Sequence, residues 1–235
     1  MGRDASTFNR DAIEANLAGI RDGVRIACER SGRDPARVRL VAAAKTVPPE
    51  PIRWVVEAGC PDIGQNYVKE LARTRDEIPT ARWHFIGNLQ TSTAHKVGEL
   101  ADVVQTLASD RATQRLARRA AEHDRVLDAL IEVDFTNGRS GLAPQDVAAF
   151  ADRVAPLEGL RLVGLMTLPP IPEIPEEARP WFRRLHDLGE ELRREHPGMV
   201  ELSMGMSKDY QVAVEEGATM VRIGTTLFGE RPHRH

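Results

Sequence analysis

Hydrophobic residues recur every three or four positions near the start of the chain, and this period predicts an amphipathic helix. Its apolar positions are Ile13, Leu17, Ile20, Val24 and Ala27. Ser6 or Thr7 is expected to cap the N-terminus of this helix, and Gly32, followed by Asp34-Pro35, is expected to end it.

Beyond this helix, short apolar runs alternate with longer amphipathic segments. The eight short runs are predicted strands: 39–45, 62–66, 82–87, 103–107, 127–135, 160–168, 201–205 and 220–224. The segments between them are predicted helices: 49–58, 67–77, 91–100, 110–123, 144–154, 176–194 and 208–216. This alternation predicts an α/β fold, a single TIM-type (β/α)8 barrel with an extra N-terminal helix. Residues 1–235 are then one barrel domain, with residues 1–34 preceding its first strand.

Length and charge fit this architecture and exclude several classes of function. The chain has 235 residues, the size of a single α/β barrel, and a formal net charge of -3. Because it has no long block of Lys and Arg, we expect no nucleic-acid or membrane partner. Cys28 and Cys60 lie far apart, so neither a disulfide framework nor a metal site is predicted. The first residues lack the apolar core of a signal peptide, so a cytoplasmic protein is expected.

Lys45 ends the first predicted strand, at the rim where a barrel places its chemistry. Alternation puts Val41, Ala43 and Lys45 on one face, with apolar side chains on the other, so the amine has little water nearby. A desolvated amine can act as a nucleophile that forms a Schiff base. The alternative is a lysine that simply extends past the strand end into solvent.

The loops after the last two strands have the composition of anion-binding turns. In 203–209, Gly205 permits close backbone approach, and Ser207 is expected to cap the next helix and leave its first N–H groups for an anion. In 223–226, Gly224 and Thr225 offer N–H and hydroxyl donors. Barrels often bind phosphate at this place. The alternative is a pair of ordinary turns with Ser and Thr caps.

Arg222 lies on the eighth predicted strand, and alternation directs its side chain into the barrel. A buried guanidinium stays charged and needs acceptors. The acceptor is either a barrel carboxylate, such as Asp62 or Asp134, or the ring nitrogen of a ligand. A lysine for a Schiff base, donors for a phosphate and an arginine for a heteroaromatic nitrogen together meet the requirements of pyridoxal 5′-phosphate (PLP).

Six motifs, in this order along nearly the whole chain, closely resemble the pyridoxal phosphate homeostasis proteins, the YggS/PROSC group. They are Val-Ala-Ala-Ala-Lys-Thr (41–46), Gly-Gln-Asn-Tyr-Val-Lys-Glu (64–70), Trp-His-Phe-Ile-Gly-Asn-Leu-Gln (83–90), Gly-Leu-Met-Thr-Leu-Pro-Pro (164–170), Leu-Ser-Met-Gly-Met-Ser-Lys-Asp (202–209) and Val-Arg-Ile-Gly-Thr-Thr-Leu-Phe-Gly (221–229).

The resemblance implies a barrel like the N-terminal domain of alanine racemase, with PLP held as a Schiff base on Lys45. It implies that Ser203, Ser207, Gly224 and Thr225 surround the phosphate, that Asn66, Met166 and Met204 border the cofactor, and that Arg222 faces the pyridine nitrogen. It further implies a role in PLP homeostasis, by storage or delivery of the cofactor to the apo-forms of PLP-dependent enzymes.

Three segments depart from the family pattern. Asn88 stands where many members have histidine or proline, and Thr-Ser-Thr-Ala-His-Lys (91–96) replaces the usual start of a helix. The segment Val-Asp-Phe-Thr-Asn-Gly-Arg-Ser-Gly (133–141) is shorter than in the family and departs from it between Asp134 and Arg139, with Arg139 where lysine is common. Details of the rim are therefore expected to differ.

The alternative function is a slow amino-acid racemase of the alanine racemase type, which needs a second acid or base opposite Lys45. Tyr67, Tyr210 and His84 are the candidates, although packed or exposed positions are more typical of such residues. We expect no second domain after the eighth strand, and by the resemblance that domain supplies the opposing tyrosine in alanine racemase. An arginine facing the pyridine nitrogen also disfavours its protonation. These features favour a carrier; a phosphate-binding barrel of sugar metabolism is a third possibility.

Overall fold

Eight parallel strands form a closed barrel in the computed structural model, which describes residues 4–136, 138 and 140–230. They are β1 Arg39–Ala43, β2 Asp62–Gln65, β3 Arg82–Phe85, β4 Val103–Leu107, β5 Leu127–Val133, β6 Leu160–Thr167, β7 Glu201–Ser203 and β8 Met220–Ile223. Neighbouring strands pair in chain order, and β8 pairs with β1 to close the ring. The predicted TIM-type (β/α)8 barrel is confirmed.

Helices precede the barrel and connect its strands. They are α1 Arg10–Ser31, α2 Pro49–Glu57, α3 Val68–Glu77, α4 Ala94–Leu100, α5 Asp110–Ala121, α6 Val147–Val154, α7 Arg179–Leu192, α8 Tyr210–Glu215 and α9 Thr225–Phe228. The predicted helices are present with shorter bounds. The predictions for the segments before α6 and α7 included residues that form short 3-10 turns, Pro144–Asp146 and Pro175–Ala178.

The start of α1 differs from the prediction. Ser6 and Thr7 do not cap it, because they belong to a 3-10 turn that the Asp4 carboxylate caps. The N-cap is Asn9, whose extended backbone lets its side chain accept the Ala12 N–H at 2.9 Å. Gly32 ends the helix as predicted, in the left-handed conformation with φ at +68°.

The strands are apolar on both faces because helices cover the outside of a parallel barrel. On β3, Trp83 and Phe85 join the large core between strands and helices, whereas His84 points into the barrel. Val103, Leu130 and Met166 form a separate apolar cluster in the interior. Buried polar side chains, among them His84, Gln105, Ser203 and Arg222, form hydrogen bonds with one another.

Helix α1 braces the elements that follow the last two strands. It packs against α2, α8 and α9. The Asn16 amide donates to the Leu227 carbonyl in α9 at 3.1 Å, and Arg33 donates to the Ala218 carbonyl after α8 at 2.9 Å. The extra N-terminal helix therefore fixes the outer side of the segments that carry the predicted phosphate loops.

Within the described residues, none of the helices combines the length and the hydropathy needed to span a bilayer.

Leu17→Ala should lower the free energy of unfolding by about 2–5 kcal/mol, because it removes a buried side chain from the contact between α1 and the barrel. Leu17 is 1 % exposed. Gly19→Ala is the matched control on the exposed side of α1, where an added Cβ meets no heavy atom within 4 Å, and it should raise stability by about 0.4–1 kcal/mol. Urea unfolding followed by circular dichroism measures both, and an unchanged Leu17→Ala midpoint would contradict the packing of α1.

Candidate functional site

A cavity of about 630 Å³ opens at the carboxyl ends of β1 and β8. It brings together five of the predicted site residues: Lys45, Ser207, Arg222, Gly224 and Thr225. Its apolar wall includes Ile171 and Pro172 from the proline-rich loop after β6. A primary amine, a guanidinium and two loops rich in N–H and hydroxyl donors thus share one cavity.

Lys45 lies in the turn after β1, two residues beyond the last residue of that strand, Ala43. The predicted strand, 39–45, included Lys45. The Ala44 N–H still donates to the Gly64 carbonyl at 2.8 Å, so pairing with β2 continues to the edge of the turn. Thr46 has a φ of +67°, and its N–H donates to a Glu70 carboxylate oxygen at 3.1 Å. This turn ends the strand early and leaves the half-buried Lys45 on the cavity wall with Ala43, the face that alternation predicted.

The loop after β7 is shaped by a glycine and an aspartate. Gly205 has a φ of +91°, and a Cβ added there would lie 2.5 Å from the Ala213 Cβ. The Asp209 carboxylate accepts the Met206 N–H at 2.6 Å, and the Met206 carbonyl accepts the Tyr210 N–H at 2.9 Å. Met206 therefore stands at the start of the turn that leads into α8. The backbone N–H groups of Ser207 and Lys208, at the cavity wall, have no acceptor among the described residues.

Ser207 does not cap α8, contrary to the prediction, because its hydroxyl accepts the Thr226 N–H at 3.2 Å. In return, the Thr226 hydroxyl donates to the Ser207 carbonyl at 3.4 Å. The two predicted phosphate loops are therefore tied to each other and form one continuous surface of the cavity.

The loop after β8 leads directly into α9, a helix that the sequence analysis did not predict. The Gly224 carbonyl accepts the N–H groups of Leu227 and Phe228 at 3.1 and 2.9 Å. A Cβ added at Gly224 would lie 3.1 Å from the Ala43 carbonyl oxygen, so a larger residue would push β1 and this loop apart. Four residues are too few for a helical period to show in the sequence.

Arg222 points into the barrel as predicted and is 4 % exposed. Its guanidinium donates to the Ser203 hydroxyl at 2.6 Å and to the Thr167 carbonyl at 2.8 Å. Burial lowers the pKa of Arg222 to about 10, against the opposing effect of the Glu132 and Asp209 carboxylates. The side chain is therefore still charged at neutral pH.

The carboxylates suggested as ion-pair partners of Arg222 bind other residues. Asp62 accepts from His84 at 2.8 Å, and Asp134 accepts from the Thr136 N–H and hydroxyl at 2.8 and 2.6 Å. The acceptors that hold the guanidinium are neutral oxygens, whereas the Glu132 and Asp209 carboxylates act on its charge electrostatically.

Four other predicted site residues are not among the described residues that line the cavity: Asn66, Met166, Ser203 and Met204. The Ser203 hydroxyl is buried beneath the cavity, where it binds Arg222 and Gln105. Met166 is buried in the interior cluster and Met204 in the outer core. Their contacts with a cofactor stay predictions.

The three candidates for a second acid or base are placed elsewhere. Tyr67 is 58 % exposed at the start of α3. Tyr210 packs its hydroxyl against α1, where a Cβ added at Gly23 would lie 2.1 Å from the hydroxyl oxygen. His84 is buried inside the barrel, with both ring nitrogens in hydrogen bonds.

Asp209 is a site residue that the sequence analysis missed. It is 1 % exposed, lines the cavity, and its second carboxylate oxygen has no partner among the described residues. Burial raises its pKa, which the Met206 N–H and the nearby Arg222 only partly offset. The only signal in the sequence is a carboxylate three residues after Met206, the spacing of a capping box, but Met206 is not a residue type that begins one.

None of the described residues in the segments that depart from the family pattern lines the cavity. Asn88 is exposed beyond β3, and residues 91–93 form a turn before α4 begins at Ala94. Arg139 lies outside the described residues.

Comparisons with known proteins agree with this geometry. The family model for the alanine racemase N-terminal domain matches residues 9–232. A pyridoxal phosphate homeostasis protein of Aquifex aeolicus is 38% identical over 222 residues, which cover 92% of this chain and 97% of that protein. One of Pseudomonas aeruginosa is 36% identical over 225 residues, covering 94% and 96%.

Solved structures with the same fold include relatives of the same kind. PipY of Synechococcus elongatus, a structure with PLP bound, matches with a TM-score of 0.82 and 32% identity, covering 92% of this chain and 100% of that one. An alanine racemase of Clostridium difficile shares the fold, with a TM-score of 0.77 at 15% identity over 96% of this chain and 58% of that chain. The chain belongs to the pyridoxal phosphate homeostasis protein family, whose barrel is that of the alanine racemase N-terminal domain.

Proposed function

We propose that this chain binds PLP in the cavity between β1 and β8 and serves PLP homeostasis by holding and releasing the cofactor. The observation that carries the proposal is the convergence of Lys45, Arg222 and two linked donor loops on one cavity. The PLP bound to PipY and the name of the curated relatives support it.

The residues of the cavity fit this cofactor chemically. The N–H groups of Ser207 and Lys208, together with Thr225, would hold the phosphate, and the close approach of Gly224 to Ala43 keeps this surface tight. Bound PLP supplies an aldehyde that a primary amine attacks reversibly with loss of water. Lys45 is the amine that we assign to this attachment.

Arg222 would face the pyridine ring from inside the barrel. Because it is a buried cation held by neutral oxygens, it opposes protonation of a nearby ring nitrogen. A ring without that proton is a weak electron sink, which suits a carrier better than an enzyme. Asn66, Met166 and Met204 remain the proposed border of the ring.

We favour a carrier over a racemase because Tyr210 and His84 are engaged in other contacts, and Tyr67 is exposed and is not among the described residues that line the cavity. The proposed recipients of the cofactor are the apo-forms of PLP-dependent enzymes. We propose that the protein acts in the cytoplasm, a reducing compartment that keeps thiols such as those of Cys28 and Cys60 unpaired.

Lys45→Ala should abolish covalent attachment of PLP. After incubation with PLP, borohydride reduction and peptide mass mapping, the wild type should carry one modification, on Lys45. Lys208→Ala is the matched control, since Lys208 also lines the cavity, and it should keep the modification on Lys45. A colourless wild-type protein after incubation, or a label on Lys208, would overturn the assignment.

Gly205→Ala should weaken PLP binding about 5- to 150-fold, because strain of about 1–3 kcal/mol at a left-handed position displaces the phosphate loop. Gly198→Ala is the control in an open turn, where the nearest described atom lies 3.9 Å from an added Cβ. Fluorescence titration with PLP measures both affinities. Equal affinities for the two variants would contradict the role of the loop.

Proton exchange at Cα separates the carrier from the racemase that the alanine racemase fold suggests. Alanine or serine incubated in heavy water with the PLP-loaded protein should show no exchange above that of free PLP. Exchange that rises with protein concentration and disappears in Lys45→Ala would refute a pure carrier. Proton NMR of the amino acid provides the measurement.

A further inference from the structure

A line of hydrogen bonds crosses the barrel interior from Arg222 to the opposite end. Arg222 contacts the Ser203 hydroxyl at 2.6 Å, and that hydroxyl contacts the Gln105 carbonyl oxygen at 2.7 Å. The Gln105 amide nitrogen lies 2.9 Å from His84 Nδ1, and His84 Nε2 lies 2.8 Å from Asp62. We call these five residues the interior chain. It joins β8, β7, β4, β3 and β2.

The interior chain runs in one direction. Asp62 offers only acceptor oxygens, so His84 Nε2 carries the proton and Nδ1 accepts from the Gln105 amide. The Gln105 oxygen then accepts the Ser203 O–H, which leaves the Ser203 lone pairs for Arg222. Every donor therefore points from Arg222 toward Asp62.

Charged groups at both ends support this direction. Burial lowers the pKa of His84 and keeps it neutral, although Asp62 opposes this effect. Burial alone would raise the pKa of Asp62, but His84, Arg82 and Arg39 hold it below its usual value. At the other end, Glu132 and Asp209 act on Arg222, and Lys45 lies on the wall of the same cavity.

Gln105 connects the two halves of the interior chain, because it accepts from Ser203 on one side and donates to His84 on the other. It is fully buried, and its amide nitrogen also lies 3.8 Å from the Met220 sulfur, so the amide cannot turn without losing contacts on both sides. An amide both donates and accepts, and this position requires both.

We propose that Gln105 is a positioning residue for the cofactor: through Ser203, it fixes Arg222 as a charged donor beneath the PLP ring, in a line anchored by Asp62. The effect of Gln105 on bound PLP rests on the proposed function, whereas the hydrogen bonds of the interior chain are present without the cofactor. Asp62 lines a second cavity of about 460 Å³, away from the proposed site, so Gln105 links Arg222 to a distant carboxylate.

Gln105→Glu tests the proposal with little change of shape. A carboxylate at this position accepts from both neighbours, so His84 should become doubly protonated at neutral pH, between two carboxylates. The new negative charge should also offset part of the Arg222 field. In the loaded protein, the pH midpoint of the PLP visible absorbance should then rise by about one unit or more.

Gln105→Leu should weaken PLP binding about tenfold or more, because Ser203 loses its acceptor.

The control is Leu130→Ala, which lies in the interior cluster with Val103 and Met166 and outside the interior chain. It should lower the melting temperature and leave the absorbance midpoint in place. Two results would overturn the positioning role. One is the same shift of the absorbance midpoint in Leu130→Ala; the other is an absorbance midpoint and a PLP affinity equal to those of the wild type in both Gln105 variants.

Nitrogen-15 NMR of the ligand-free protein tests the interior chain without PLP. The His84 signal, assigned by its loss in His84→Gln, should show protonated Nε2 and unprotonated Nδ1 in the wild type, and two protonated nitrogens in Gln105→Glu. A wild-type Nδ1 that carries the proton would overturn the inference even if no variant folds. A wild type that never develops a visible band with PLP would instead refute the proposed function, while this spectrum still decides the interior chain.

Discussion

A guanidinium charge inside the barrel is the constraint on which the site depends. Arg222 sits on β8, and its hydrogen bonds go to β7 through Ser203 and to β6 through the Thr167 carbonyl. These acceptors are neutral, so they satisfy the N–H groups without cancelling the charge. The guanidinium therefore links the last three strands to each other and places a cation at the cavity above them, close enough to Glu132 and Asp209 for their charges to act on it.

The two loops that we propose for phosphate binding depend on the same strands. The Arg222 N–H donates to the Gly205 carbonyl at 2.9 Å, so the residue that carries the charge also holds the first turn of the loop after β7. The Ser207 and Thr226 bonds then join that loop to the one after β8. Because α1 braces α8 and α9 from outside, the cavity surface is held from both sides. A surface held in this way needs little reordering when a ligand binds.

Much of this structure could be predicted from the sequence, and the failures share a physical cause. The alternation of strands and helices predicts the barrel, and the rule that chemistry collects at strand ends predicts Lys45, Gly224 and Thr225 at the cavity. What the sequence could not show are side-chain pairings between distant segments. The Ser207 hydroxyl binds Thr226 instead of its own helix, the Asp209 carboxylate accepts the Met206 N–H, and Gln105 lies in an apolar strand with no motif around it. The pairings of Ser207 and Gln105 join segments that only the closed barrel brings together.

These pairings bear directly on what the barrel can do. A histidine that already uses both nitrogens inside the barrel cannot move a proton at the cavity without breaking the interior chain. A tyrosine hydroxyl packed on Gly23 faces away from the same place. The functional groups at the cavity are the Lys45 amine, the charged Arg222 and the Asp209 carboxylate, which accepts the Met206 N–H, together with loops suited to a phosphate. Such a set can bind an aldehyde reversibly and gives little help to proton transfer at carbon, which is the balance that holding and releasing PLP requires.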